Sequence, residues 1–189
     1  LDLNNGKLNL LWYGNYFNLD LANWNELIFK PILANRKRLP PISLTFLTNL
    51  DMMVARRAKP PKGYNAPYIF KNTSWVCWEC DKQAELCSKA DIVILPIDHT
   101  IPKAKVKSHN KLVDGLACGT MVLASGQDSY LKFSDYAIIG DNFYENIKWC
   151  LNNKQEVLNR VAKGQEYIKN NLTIEILTNK LLEVLGRYL

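Results

Sequence analysis

Residues 91–125 read DIVILPIDHTIPKAKVKSHNKLVDGLACGTMVLAS. The first seven are almost entirely apolar, which indicates a strand that is buried on both faces of a parallel sheet. Residues 108–118 space their apolar side chains as a helix does, and Gly119 is suited to ending that helix. Residues 121–125 are apolar again. The segment therefore predicts a strand, a basic loop, a helix and a second buried strand.

The same alternation continues in both directions along the chain. Apolar runs predict further strands at residues 8–13, 42–47, 74–78 and 136–139. Helical spacing predicts helices at residues 21–35, 79–90, 142–152, 154–170 and 173–188. The irregular residues 51–72 are interpreted as a surface helix and a long basic loop. Alternating strands and helices predict an α/β fold, a doubly wound Rossmann-like parallel sheet of about six strands with helices on both faces.

Composition and charge narrow the class of protein. The 189 residues, 48% of them hydrophobic, are enough for one folded domain over residues 1–189. A net charge of +6 favours an anionic partner such as phosphate, nucleic acid or an acidic membrane surface. Five cysteines without a signal-peptide pattern favour reduced thiols and a cytoplasmic location. The missing initiator Met suggests a domain taken from a longer protein.

Basic and polar side chains cluster where the strand at residues 91–97 ends. We predict that Ser108 caps the following helix and that Lys107, Lys111 and Asp114 share one face. Helix amides and two ammonium groups would then suit a diphosphate, and Asp114 would accept hydrogen bonds from vicinal hydroxyls. A capped surface helix with a Lys111–Asp114 ion pair explains the same residues equally well.

This segment resembles the donor-binding segment of GT-B glycosyltransferases of the group 1 type. The family pattern runs aD-v-v-l-P, a loop, K-x-x-N-K/R, an acidic residue, A-x-A-x-G and V-V-x-S; here DIVILPI and KSHNKLVDGLACGTMVLAS match it. GQDSYLKF at residues 126–133 resembles the family's p-S-Y loop, and WYGN at residues 12–15 resembles its first glycine turn. The resemblance implies the C-terminal, nucleotide-sugar-binding half of such an enzyme, inactive without its N-terminal acceptor domain.

The resemblance also implies roles for individual residues, although it identifies no catalytic residue in this half. The implied donor-binding residues are Gly14, Asn15, Lys107, Ser108, Asn110, Lys111 and Asp114. Those in the K-x-x-N-K pattern would lie near the diphosphate, and Asp114 would replace the family's ribose-binding Glu. Gly14 would let the backbone approach the phosphates, and Trp75 would neighbour the base. Many relatives have an earlier Glu where this chain has Val106, so the motif is incomplete.

The implied activity is sugar transfer from a nucleotide-diphosphate sugar to an acceptor glycan or lipid, as in polysaccharide biosynthesis. The acceptor would be reached through the N-terminal domain, and basic runs such as residues 36–38 would support peripheral contact with the inner face of a membrane. The resemblance implies no cofactor and no metal, and no Asp-x-Asp motif is present. The absence of RNP, helix-turn-helix and zinc signatures argues against nucleic acid as a partner.

Two alternatives share the fold. Another GT-B enzyme, such as a sugar-nucleotide epimerase, would need acid and base carboxylates in its cleft. A non-catalytic nucleotide-binding module is favoured mildly by the loss of the earlier Glu at Val106. Acceptor-dependent turnover by the full-length protein would separate a transferase from both.

Overall fold

The computed structural model describes residues 6–15, 21–49, 72–97, 99 and 107–187. Within these ranges, parallel strands form one six-stranded sheet in the order β3-β2-β1-β4-β5-β6. The strands are β1 (Leu8–Gly14), β2 (Ile42–Thr48), β3 (Asn72–Cys77), β4 (Ile92–Leu95), β5 (Met121–Ala124) and β6 (Ile138–Ile139). The predicted surface helix and loop at residues 51–72 and Val106 lie outside the described residues, apart from Asn72 in β3.

Helices cover both faces of this sheet, which confirms the predicted doubly wound α/β fold. They are α1 (Leu21–Trp24), α2 (Lys30–Ala34), α3 (Cys80–Lys89), α4 (Asn110–Ala117), α5 (Asp128–Leu131), α6 (Phe143–Asn152), α7 (Lys154–Asn171) and α8 (Ile174–Leu185). One core joins the sheet to α1, α2, α6 and the first half of α7, with Trp24, Phe46 and Phe143 fully buried. The other core joins the opposite face to α3, α4 and α5 around Cys87 and Leu116.

The helix predicted at residues 21–35 is interrupted. Residues Asn25–Phe29 form a π-helical turn between α1 and α2, in which the Lys30 amide donates to the Asn25 carbonyl. The interruption ends two residues before Pro31, which has no amide proton and whose ring excludes the normal hydrogen bond to the preceding turn. The wider turn keeps Ile28 and Phe29 buried.

The last strand is shorter than the prediction of residues 136–139. Tyr136 and Ala137 donate their amides to the Phe133 carbonyl, so they close a turn instead of extending the sheet. The Phe133 side chain is fully buried, and the Tyr136 ring stacks on Tyr167 of α7. Packing of these rings therefore favours a turn over an extended backbone at residues 136 and 137. Of this stretch, only Ile138 and Ile139 pair with β5.

The topology places a crevice at the carboxyl ends of β1 and β4. These two strands are neighbours in the sheet, with Leu10 opposite Ile92. The chain leaves β1 toward α1 on one face and leaves β4 toward α4 on the other. The order of the strands reverses at this point, and parallel sheets of this kind bind their ligands there.

Candidate functional site

Gly14 and Lys111 meet at this crevice. The Lys111 side chain extends from the first turn of α4 over the end of β1, with its Nζ 5.2 Å from the centre of the Trp12 ring. A Cβ atom added at Gly14 would collide with this Nζ, and Gly14 has a φ of +153°, which side chains rarely adopt. Glycine at this position therefore allows the ammonium group to lie directly against the strand end.

The charge of Lys111 is held in a largely desolvated position. Burial, assisted by the neighbouring Lys107 ammonium, lowers the pKa of Lys111 to about 8. No carboxylate among the described residues forms an ion pair with Lys111, so the alternative of a Lys111–Asp114 ion pair is not supported. An incompletely solvated cation without an anionic neighbour is a feature typical of a site for an anionic ligand.

Lys107 is exposed and lies before the start of α4. The prediction that Lys107, Lys111 and Asp114 share one helical face is therefore wrong. Its carbonyl accepts hydrogen bonds from Gln127 Nε2 at 2.6 Å and Ser129 Oγ at 2.8 Å. Both donors belong to the GQDSYLKF segment at residues 126–133, Gln127 directly before α5 and Ser129 within it. This segment therefore holds the chain in place immediately before α4.

The predicted helix cap at Ser108 is also wrong. The helix α4 begins at Asn110, and His109 occupies the capping position without a capping hydrogen bond from its side chain. The His109 ring packs 5.2 Å from Phe133, which draws this residue and not Ser108 to the helix entrance. Ser108 and Asn110 are exposed. No described side chain caps the first amides of α4, so these amides retain their capacity to bind an anion.

Asp114 lies in the second turn of α4 and is half-buried. Its Oδ2 accepts a hydrogen bond from Gln83 Nε2 in the first turn of α3, at 3.1 Å. Burial raises the pKa of Asp114, and the bond from Gln83 opposes that rise. Sequence reasoning missed Gln83, because helical spacing does not tell which two polar faces will meet across neighbouring helices.

The remaining predicted residues lie on β1 and β3. Asn15 is exposed and directly follows Gly14 at the end of β1. Trp75 stacks on Phe46, with ring centres 4.4 Å apart, and packs against the core on the face of the sheet opposite α4. Its predicted role beside the base stays a prediction. Trp78, just after the carboxyl end of β3, is 45% exposed and was not singled out by the sequence.

Two further properties bear on cofactors and membranes. The described residues contain no group of three or more His, Cys, Asp or Glu side chains placed to hold a metal ion. No described helix is long and apolar enough to cross a bilayer.

Tyr13 links β1 to α4 at the candidate site. We expect Tyr13→Phe to lower the free energy of unfolding by about 1 kcal/mol. Its buried hydroxyl donates to the backbone carbonyl of Lys111 and so ties the first turn of α4 to β1. Urea unfolding would measure the change. Tyr136→Phe is the matched control, because no described hydrogen bond involves the Tyr136 hydroxyl, and an equal loss in both variants would contradict the prediction.

Comparison with known proteins supports the fold at very low sequence identity. The chain is similar to HepE from Anabaena, solved with UDP and glucose, at a TM-score of 0.72 and 11% identity over 96% of this chain and 49% of that one. A UDP-forming trehalose-phosphate synthase from Burkholderia vietnamiensis matches at a TM-score of 0.72 and 8% identity, over 99% of this chain and 45% of that one. Sucrose-phosphate synthase from Thermosynechococcus elongatus matches at a TM-score of 0.69 and 12% identity, over 96% of this chain and 45% of that one.

The chain thus spans about half the length of these solved structures. No protein-family model matches it, and no curated protein matches it in sequence. The chain has the same doubly wound type of α/β fold as these solved structures, which confirms the predicted fold class.

Proposed function

We propose that this chain is the nucleotide-sugar-binding domain of a glycosyltransferase. The observation that carries the proposal is the Lys111 ammonium group, which is largely buried, has no ion-pair partner among the described residues and lies against Gly14 at the end of β1. This arrangement places positive charge at the point of the sheet where ligands bind in this class of fold. A diphosphate is the ligand that matches this charge and geometry best.

The proposed reaction breaks the bond between the anomeric carbon of the donor sugar and a diphosphate oxygen. Negative charge then accumulates on the departing diphosphate as the acceptor hydroxyl attacks the sugar. Lys111, Lys107 and the first amides of α4 would stabilise that charge, and the partial exclusion of water strengthens their effect. Ser108, Asn110 and Asn15 would contribute polar contacts around the same phosphates.

Asp114 would bind the ribose hydroxyls through its carboxylate, one turn further along α4. Gly14 would admit the phosphates close to the backbone, and Trp75 would lie on the strand next to the base. The similar structures support this class of ligand, since HepE was solved with UDP and glucose. No cofactor or metal is required in this proposal, because lysines and helix amides supply the positive charge.

The acceptor would be a glycan or lipid held by the other half of a longer protein. This part of the proposal rests on the coverage of about half of each similar chain. A cytoplasmic enzyme of polysaccharide biosynthesis, in peripheral contact with a membrane through basic residues 36–38, fits the net charge of +6.

Calorimetric titration of the chain with UDP, GDP and ADP tests the proposal. We expect one nucleotide to bind, and we expect Asp114→Ala and Lys111→Ala each to weaken its binding by about tenfold or more, because each removes a charged contact. Lys163→Ala on α7 and Asp135→Ala in a turn are matched controls at exposed positions away from the crevice. They should leave the affinity unchanged.

Absence of binding to all three nucleotides, in both this chain and the full-length protein, would overturn the proposal. Turnover that depends on an added acceptor distinguishes a transferase from a non-catalytic nucleotide-binding module and from an epimerase. That assay requires the full-length protein, since the chain contains no identified catalytic residue.

A further inference from the structure

A chain of hydrogen bonds crosses the wall of the crevice from β3 to α4. The indole Nε1 of Trp78 donates to Gln83 Oε1 at 2.6 Å. Gln83 Nε2 in turn donates to Asp114 Oδ2 at 3.1 Å. The three side chains come from the end of β3, the first turn of α3 and the second turn of α4.

The chemistry of the indole settles how Gln83 is oriented. An indole N–H is a donor only, so it requires the carbonyl oxygen of the Gln83 amide on its side. The amide NH₂ must then face Asp114, where a carboxylate accepts it. Trp78 therefore determines that Gln83 presents a donor, and not an acceptor, to Asp114.

We propose that Gln83 is a positioning residue that holds the Asp114 carboxylate ready for the ribose hydroxyls, and that Trp78 fixes Gln83 in that role. The inference rests on the proposed nucleotide site. Gln83 engages Oδ2, and no described residue engages Oδ1, which is left for the ligand. A hydrogen bond of this kind restricts the carboxylate to one rotamer and so lowers the cost of ordering it on binding.

The hydrogen bond from Gln83 affects whether the Asp114 carboxylate stays ionised, because the described titratable groups around Asp114 are neutral. In the part of the chain that the structure describes, the titratable groups that face it are the hydroxyl of Tyr13 on β1 and the thiols of Cys87 on α3 and Cys118 after α4. Burial raises the pKa of all three, so they are neutral at pH 7. No described lysine or arginine pairs with Asp114. Gln83 thus supplies the hydrogen bond that favours the ionised carboxylate against burial.

The test compares the pH dependence of nucleoside diphosphate binding in the wild type and in Gln83→Leu. Without the amide, the carboxyl pKa rises, so the protonated acid persists to higher pH and cannot accept both ribose hydrogen bonds. We expect the acid-side midpoint of binding to move up by about one pH unit, and the affinity at pH 7 to fall about fivefold. The titration of the ligand is common to both proteins and cancels in the comparison.

Two companion variants separate positioning from packing. Trp78→Phe keeps an aromatic ring but removes the N–H, so the midpoint should move in the same direction by a smaller amount. Gln165→Leu is the matched control, because Gln165 also donates to α4, at the Ala117 carbonyl 3.1 Å away, without contacting Asp114. It should leave the midpoint and the affinity unchanged.

An NMR titration of the Asp114 carboxyl carbon measures the pKa of Asp114 in the ligand-free chain. It therefore tests the role of Gln83 separately from nucleotide binding. If neither the wild-type chain nor the full-length protein binds a nucleoside diphosphate, the nucleotide site is wrong, whatever the NMR titration gives. If the nucleotide binds but Gln83→Leu, folded by near-UV circular dichroism, changes neither the Asp114 pKa nor the binding midpoint, Gln83 has no positioning role. A raised Asp114 pKa together with a raised binding midpoint is the expected result.

Discussion

Replacing Lys111 with methionine is expected to stabilise the ligand-free chain at pH 7 and to remove most of its affinity for a nucleoside diphosphate. Burial lowers the pKa of Lys111 from 10.5 to about 8, so the folded state pays a cost to keep the group charged at pH 7. Methionine keeps an unbranched side chain over Trp12 without that charge. We expect a gain of about 1–2 kcal/mol in the free energy of unfolding, less than the full pKa shift implies because the ammonium retains some solvent.

The pH dependence of the free energy of unfolding tests independently whether the Lys111 charge destabilises the folded chain. The folded chain releases the Lys111 proton near pH 8, whereas the unfolded chain retains it to about pH 10.5. The wild type should therefore gain stability from Lys111 as the pH rises between these values, and Lys111→Met should lack that gain. Urea unfolding at pH 7 and pH 10 measures it, with Lys163→Met as the control at an exposed lysine.

The affinity should change in the opposite direction. Loss of a desolvated ammonium from a diphosphate site corresponds to about 2–3 kcal/mol, or roughly 30- to 150-fold in the dissociation constant. Calorimetry on Lys111→Met measures this loss. A variant that is less stable than the wild type at pH 7 and binds nucleotide equally well would show that Lys111 has a structural and not a ligand-binding role.

Gly115→Val is expected to destabilise the chain by about 3 kcal/mol. Gly115 is buried in the middle of α4, and a Cβ atom there would lie 2.7 Å from Val122 Cγ2 and 3.5 Å from Val93 Cγ2. Both valines are fully buried on strands of the sheet, so neither has room to move. The helix would have to shift outward.

The same shift would move Lys111 and Asp114 away from the ends of the strands, so nucleotide affinity should fall together with stability. Thermal and urea unfolding measure the first effect, and calorimetry the second. Gly126→Val is the control, because no atom lies within 4 Å of a Cβ added at this exposed glycine. A loss below about 0.5 kcal/mol in Gly115→Val would contradict the close packing of α4 on the sheet.

Some of the residues that meet at the crevice could be predicted from the sequence, and others could not. Gly14 and Lys111 were both among the donor-binding residues that the GT-B resemblance implied, and they meet because the carboxyl ends of parallel strands share one edge of the sheet. The entry into α4 was predicted wrongly at Ser108, since packing of the His109 ring on Phe133 is a contact between distant residues. Gln83 was not identified for the same reason.

The sequence by itself determined the order of strands and helices along the chain, the doubly wound fold and the strand exits where the candidate site lies. These follow from the spacing of apolar residues along the chain, which is local information. Only the tertiary structure decided the partners of the polar side chains: Lys111 against Gly14, and Asp114 bound through Gln83 to Trp78. Such pairs depend on the rotation and the distance of one element against another, and packing of the two cores sets both.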